Sequence, residues 1–257
     1  MAIIVNADDF GISHEINLAI CEAYQKGLIN RTTLMVNMPY AQEAMDMARE
    51  QGFADKVGLH LNLTAGKPLS SELSYDRVMC DENGEFTAEF ARNAKLRFFF
   101  PKKTRRGVEK EIGLQLEKYR ELGGLLWHVD SHHHVHTDPS VWMAFCRVVK
   151  NSKKVNKGSG FPISSVRLGR NMYKGGNPIL HIYKALYNSS VRRFCKVRSD
   201  YFGSAADFEN FFAGAENAND TISRLNIEIM VHPMYSESGC LTDSMEPLKT
   251  YKEQNNG

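Results

Sequence analysis

No apolar run in this 257-residue chain approaches the ~20 residues needed to cross a bilayer, so no transmembrane helix is expected. The N-terminal run Ala2-Ile3-Ile4-Val5 is also too short for the apolar region of a signal peptide, because Asp8 and Asp9 follow at once. An excess of one charge is missing as well. With 32 Lys and Arg against 30 Asp and Glu, the net charge of +2 gives no general attraction to nucleic acid or to an anionic membrane. The five cysteines (Cys21, Cys80, Cys146, Cys195, Cys240) are odd in number, widely spaced and without a C-x-x-C pair, which argues against zinc-finger or dithiol redox chemistry and for a reducing cytoplasm. Internal repeats, heptads and low-complexity tracts are absent. The length suits a single catalytic domain spanning 1–257, with a polar tail from about 241 to 257 that is expected to fray.

What the chain does contain is an alternation of strand and helix patterns. Ala2 to Asn6 is a β-branched apolar run without polar alternation, the pattern of a fully buried strand, and it delivers Asp8-Asp9 to its C-terminal end. Ser13 is positioned to cap a helix striped by Ile16, Ala19, Ile20 and Ala23 and stopped at Gly27. A second unit follows, with Thr32 to Val36 as strand, a helix striped by Ala41, Ala44, Met45 and Ala48, and Gly52 as terminator. Lys56 to Leu63 is a third strand. Between Thr64 and Pro101 the pattern weakens, and Phe98-Phe99-Phe100 reads equally as core or as a substrate wall. Val108, Ile112, Leu116 and Tyr119 stripe a helix ending at Gly123-Gly124, and Leu125 to Asp130 is the next strand. Asp138-Pro139 opens another helix, Lys150 to Gly160 reads as an exposed loop, and Ile163 to Leu168 and Ile227 to Val231 are further strands.

Such alternation predicts an α/β fold: a (β/α) barrel, distorted or incomplete, with parallel strands and outer helices. Asp8-Asp9, His60, His132 and His232 each fall at or near the C-terminal end of a predicted strand, the end where parallel α/β folds gather their active sites.

Four imidazoles within five residues, His132, His133, His134 and His136, point to a metal. Neutral imidazole is the commonest nitrogen ligand, and the run is internal and follows a strand, unlike a surface tract or a tag. Asp-Asp pairs often only cap helices, but a pair at the end of a buried strand can supply one metal ligand and one base. His60 alternates with Asn62 and Thr64 along one side of its strand, which raises a ligand role above the usual hydrogen-bonded core histidine. His232 in Val231-His232-Pro233 is a candidate acid, with a structural histidine as the alternative.

Asn6-Ala7-Asp8-Asp9-Phe10-Gly11, Gly58-Leu59-His60-Leu61-Asn62-Leu63-Thr64, the run His128 to His136, and Val231-His232-Pro233 occur in that order across most of the chain. Together they resemble the YdjC-like carbohydrate deacetylases, also called the chitooligosaccharide deacetylase family, relatives of the NodB-type polysaccharide deacetylases. The resemblance implies a barrel of β-α units that hydrolyses the acetamide of an N-acetylated sugar and releases acetate; the motifs do not fix whether that sugar is an oligo- or disaccharide, plain or phosphorylated. It implies Asp9, His60 and His132 as ligands of one divalent ion, with His136 as the substitute for His132, Asp8 as base and His232 as acid. The family is associated with magnesium, whereas one carboxylate and two imidazoles suit zinc or a similar ion better.

The expected partner is thus an N-acetylated sugar, with no nucleic acid and no membrane; a homodimer stays open. Arg105-Arg106 with Lys102-Lys103 offers a phosphate site on the sugar, against the plainer reading of solvated surface. Two rival functions remain. A metal-dependent phosphoesterase would call for more carboxylates at strand ends, and a non-catalytic sugar-binding protein would keep the metal site without turnover. The chain stops about two dozen residues after His232-Pro233, earlier than the resemblance leads one to expect, which leaves the closure of the barrel open.

Overall fold

The computed structural model describes residues 2–155, 160–173, 175, 177–196, 199–213, 224–244 and 247–251. In chain order its elements begin with β1 (Ala2–Phe10), α1 (His14–Gln25), β2 (Arg31–Leu34), α2 (Ala41–Glu50) and β3 (Val57–Leu61). The short helices α3 (Glu89–Arg92) and α4 (Ala94–Phe98), the long α5 (Lys102–Glu121) and β4 (His128–Ser131) come next. Then follow α6 (Pro139–Val155), β5 (Ser165–Val166), α7 (Pro178–Phe194), β6 (Tyr201–Ser204), α8 (Ala205–Phe212), β7 (Asn226–Val231), β8 (Pro233–Tyr235) and β9 (Leu241–Asp243).

Seven parallel strands form one curled sheet in the order β5-β4-β3-β2-β1-β7-β6, a half-barrel wrapped by helices. The incomplete (β/α) barrel expected from the sequence is therefore present. The last of these strands in the chain, β7, enters between β1 and β6 and pairs with β1 in a register running from Ala2↔Asn226 to Ala7↔Val231. The gap between the edge strands is crossed by the chain following β5: the N–H groups of Asn171 and Met172 donate to Phe202 O, and Phe202 N–H donates to the Asn171 side chain.

Local signals explain most elements. Ser13 accepts a hydrogen bond from Ile16 N and caps α1, and Gly27 and Gly52 take the left-handed conformation that stops α1 and α2. The apolar stripes meet one core: Ile20, Ala23, Ala44, Met45, Ala48, Ile112, Leu116 and Tyr119 are buried with Leu34, Leu59 and Val129 from the strands. Tyr119 also donates to Val57 O and accepts no exposure to solvent, tying α5 to the start of β3.

Several expectations change. Lys150 to Val155 lies in the last turns of α6 and not in a loop; 156–159 lie outside the described residues. The tail does not fray at once, because Leu241–Asp243 pairs antiparallel with Pro233–Tyr235. The strand expected over Ile163 to Leu168 is reduced to Ser165–Val166, and α7, β6 and α8 were not foreseen. The phenylalanine run divides: Phe100 is core against Phe90, while Phe98 and Phe99 are exposed and Phe98 faces Tyr183 at 6.3 Å. Asn62 and Thr64 do not join His60 in a site. The Asn62 carboxamide instead accepts from Thr64 N and Ala65 N and donates to Ala65 O, folding the loop after β3.

Candidate metal centre

The end of β1 is bent on purpose. Its register with β2 shifts between Ala7 and Phe10, and Asp9 sits in this irregularity at φ +67°, a left-handed conformation costly for a residue other than glycine. His133 and His134 have φ of 51° and 55° in the tight turn His132–Thr137 that follows β4. Strain of this kind persists where surrounding structure enforces it, and here it brings three strand ends together.

Asp9, His60 and His132 converge, with their potential ligand atoms all within 4.8 Å of one another. His132 Nδ1 lies 2.8 Å and His60 Nε2 3.2 Å from the same oxygen, Asp9 Oδ1. The side chains of Asp9 and His132 are 18% and 14% exposed against 1% for His60, so the cluster opens to solvent on one side only. Burial alone would raise the Asp9 carboxyl, but hydrogen bonds from His132 and His60 outweigh it and hold the group well below the usual carboxylate range. Burial likewise opposes charge on His60, and the Asp130 carboxylate overcomes it, pushing the imidazole up to about 10. These three residues fit a divalent ion. The fit rests on the donor set and on a further contact: Asp130 Oδ1 holds His60 Nδ1 at 2.7 Å, the outer carboxylate that fixes the ring orientation of a ligating histidine.

The other candidates fall in different places. His136 is buried with Nδ1 at 2.6 Å from Ser131 Oγ, and is not brought to Asp9. His134 lines a cavity of about 160 Å³ together with Arg97, Arg170, Tyr183, Lys184 and Phe202, and burial pushes its imidazole down to about 4. His232 directly follows β7; its backbone N–H donates to the Asp243 carboxylate and its carbonyl accepts from Ser244 N, so the β8–β9 hairpin fixes the backbone there. Arg105 sits on α5 with Glu109 3.7 Å away.

Asp8 is 2% exposed, and its carboxylate clusters with His60 and Asp130, their potential ligand atoms lying within 4.8 Å of one another. Arg167 grips it with both terminal nitrogens, Nη1 at 2.7 Å from Oδ2 and Nη2 at 2.8 Å from Oδ1, while Asn6 Nδ2 donates to Oδ1 at 2.9 Å. Burial raises the Asp8 carboxyl, as does the nearby Asp130 carboxylate, and the Arg167 charge and hydrogen bond together with His60 outweigh them, so the net direction is downward. Sequence reasoning missed Arg167, Asp130 and Glu228. The available signal was a charged residue within each of three expected strands, Asp130, Arg167 and Glu228, which a buried parallel strand tolerates only when the charge is paired.

An incomplete parallel β/α barrel with one carboxylate and two imidazoles clustered at its C-terminal strand ends defines the class: an α/β barrel with a side-chain cluster that could hold a metal ion. Comparison with known proteins gives the family. The YdjC-like protein family model matches residues 2–256, and the chain belongs to that family. It is 30% identical over 256 residues to a carbohydrate deacetylase of Clostridium beijerinckii, covering 98% of this chain and 89% of that protein. A carbohydrate deacetylase of Vibrio cholerae is 39% identical over 150 residues, and one of Geobacillus stearothermophilus 40% identical over 139; those matches span 56% and 52% of the relatives' lengths. Among solved structures, an Enterococcus faecalis V583 protein with the provisional description cellobiose-phosphate cleavage protein superposes with a TM-score of 0.61 over 92% of this chain and 82% of that one. At 23% identity this likeness speaks for the fold alone.

Proposed function

We propose that this chain is a metal-dependent carbohydrate deacetylase that hydrolyses the acetamide of an N-acetylated sugar to acetate and a free amine. The observation that carries the reading is the convergence of Asp9, His60 and His132 beside a buried, ionised Asp8. The names of the relatives supply the substrate class.

A divalent ion held by Asp9, His60 and His132 would polarise the amide carbonyl and acidify the attacking water. Asp8 takes the proton from that water. Its pairing with Arg167 keeps it ionised at neutral pH, and Oδ2 accepts from Arg167 alone among the described residues, leaving room for one more donor. His232, leaving the adjacent strand β7 whose Val231 pairs with Ala7, protonates the departing amine. Zinc or a similar ion matches the imidazole-rich donor set better than magnesium.

Arg97, Arg170 and Lys184 around the cavity beside His134 offer a better seat for a phosphorylated sugar than the Lys102 to Arg106 stretch does. Five free cysteines suit a reducing cytoplasm, and no helix among the described residues is long and apolar enough to cross a membrane. The phosphoesterase reading is weaker, because the remaining clusters of ligand type, Asp8-His60-Asp130 and His128-Asp130-Glu228, are fully buried and already hold the Arg167 guanidinium. The test is acetate release from a panel of N-acetylated mono- and oligosaccharides, plain and phosphorylated, with Zn²⁺ or Mg²⁺ supplied. Acetate from at least one is expected; phosphate release without acetate would overturn the reading.

A further inference from the structure

Beneath the Asp9-His60-His132 set lies a second layer of charge, of which the proposed deacetylation uses only Asp8. Glu228, in the middle of β7, is 2% exposed. Its Oε1 accepts from Arg167 Nε at 2.6 Å, its Oε2 accepts from Ser199 Oγ at 3.4 Å, and His128 Nε2 lies 3.8 Å away. Arg167 is wholly buried, with its guanidinium 4.8 Å from the Phe202 ring centre. It spans the barrel interior from the end of β5 to three other strands: Nη1 meets Asp130 Oδ2 at 2.7 Å, Nη1 and Nη2 grip Asp8, and Nε meets Glu228.

Three carboxylates so close would repel one another in the absence of a cation. A guanidinium satisfies all three with donors in one rigid plane, so the place of each carboxylate is set by that plane, and the plane is set by its anchors. Asp130 is one of these carboxylates. It holds His60 Nδ1 at 2.7 Å and accepts from Thr33 Oγ1 at 2.9 Å, and through the first contact it aims His60 Nε2 at Asp9. The orientation of a ligand histidine is thus tied to Glu228 across the barrel, through Arg167 and then Asp130.

We propose that Glu228 is a positioning residue of the metal centre, anchoring Arg167 so that Asp130 holds His60 in its ligating orientation. The proposal rests on the metal-site reading above. A purely structural clasp would make a different forecast: loss of Glu228 would lower stability and leave the metal affinity of the folded protein unchanged.

The experiment is calorimetric titration of the metal-stripped full chain with Zn²⁺ alone, alongside thermal melts. Glu228→Gln keeps the shape and one acceptor for Arg167 Nε, and is expected to weaken Zn²⁺ binding roughly tenfold, at the lower edge of what loss of an outer-layer partner does. Arg167→Lys, whose single ammonium cannot span three carboxylates, is expected to weaken it further. Tyr119→Phe is the stability control: it loses hydrogen bonds to Val57 O and Leu126 O away from the ion and should lower Tm with affinity kept within about twofold. A folded Glu228→Gln protein with wild-type affinity overturns the proposal, as does an equal affinity loss in Tyr119→Phe. If Glu228→Gln does not fold, Ser199→Ala takes its place. That variant removes only the hydroxyl on Glu228 Oε2, a severalfold loss of affinity is expected, and unchanged affinity overturns the proposal. Failure of the wild type to bind Zn²⁺ is a distinct result that contradicts the metal centre itself and this inference with it.

Discussion

Asp8 and Asp9 are neighbours in sequence with different surroundings, and the proposed mechanism gives them different work. Asp9 sits in a bulge facing two imidazoles, whereas Asp8 continues the inward side of β1 and meets Arg167. Asp8→Asn should therefore lower kcat by at least ~10²-fold, the lower bound for loss of a general base, while metal content stays near wild type. The carboxamide also turns an N–H₂ toward the guanidinium, so a lowered Tm is expected in the same variant. Near-normal deacetylation would refute the base role, and metal loss in Asp8→Asn with retention in Asp9→Asn would show the two carboxylates exchanged. Asp8, Asp9, His60 and His132 were legible because charged or imidazole side chains stand at the ends of apolar runs. Within the histidine cluster, sequence offered no ground for choosing His132 over His136; the turn with two left-handed residues makes that distinction. For Arg167 and Glu228 the sequence shows a charge within a strand but not its partner, which for this pair lies 61 residues away in the chain.

The β8–β9 hairpin shows how a small element can fix the backbone of a candidate site residue. Its second strand falls in the stretch from 241 that reads as a polar tail, yet Asp243 accepts the His232 backbone N–H and Ser244 donates to the His232 carbonyl. Asp243→Ala should reduce kcat about tenfold by loosening the proposed acid, with Zn²⁺ affinity unchanged. An unaltered kcat would remove the hairpin from the mechanism. A second element-scale test concerns α5, where Glu111 accepts from Leu69 N, Ser70 N and Gln115 Nε2 and so ties the loop after β3 to the helix. Burial pushes this carboxyl above its ordinary 4.5, with the three donors pulling the other way. A raised carboxyl binds its proton more tightly folded than unfolded, so its contribution to stability is greatest below 4.5 and falls as pH rises through the folded pKa. Urea unfolding of wild type and Glu111→Gln should accordingly show the difference, wild type minus variant, to be larger near the ordinary pKa of 4.5 than at neutral pH. The opposite trend would mean that the donors dominate. Helices with an inward apolar stripe, α1, α2, α5 and α6, were readable from spacing. In contrast, α7 carries Ile179, Ile182 and Leu186 on its exposed side, so its stripe does not mark a core face, although Asn177 and Pro178 were a usable start signal.

For the whole molecule, the alternation of patterns was enough to expect parallel strands with outer helices, because that is how such units bury both faces of a sheet. Strand order was not readable, since the insertion of β7 beside β1 joins the two ends of the chain and depends on contacts more than 200 residues apart. That insertion has a structural consequence: it sets His232 beside the strand carrying Asp8 and Asp9, and it brings Glu228 to Arg167. The central claim is that Asp9, His60 and His132, from three different strand ends, together hold one divalent ion. Elemental analysis after exhaustive dialysis tests it most directly, on wild type and on the His60→Ala/His132→Ala double variant. The account predicts one tightly held divalent ion per wild-type chain and its loss from the double variant; equal metal content in the two proteins would contradict it.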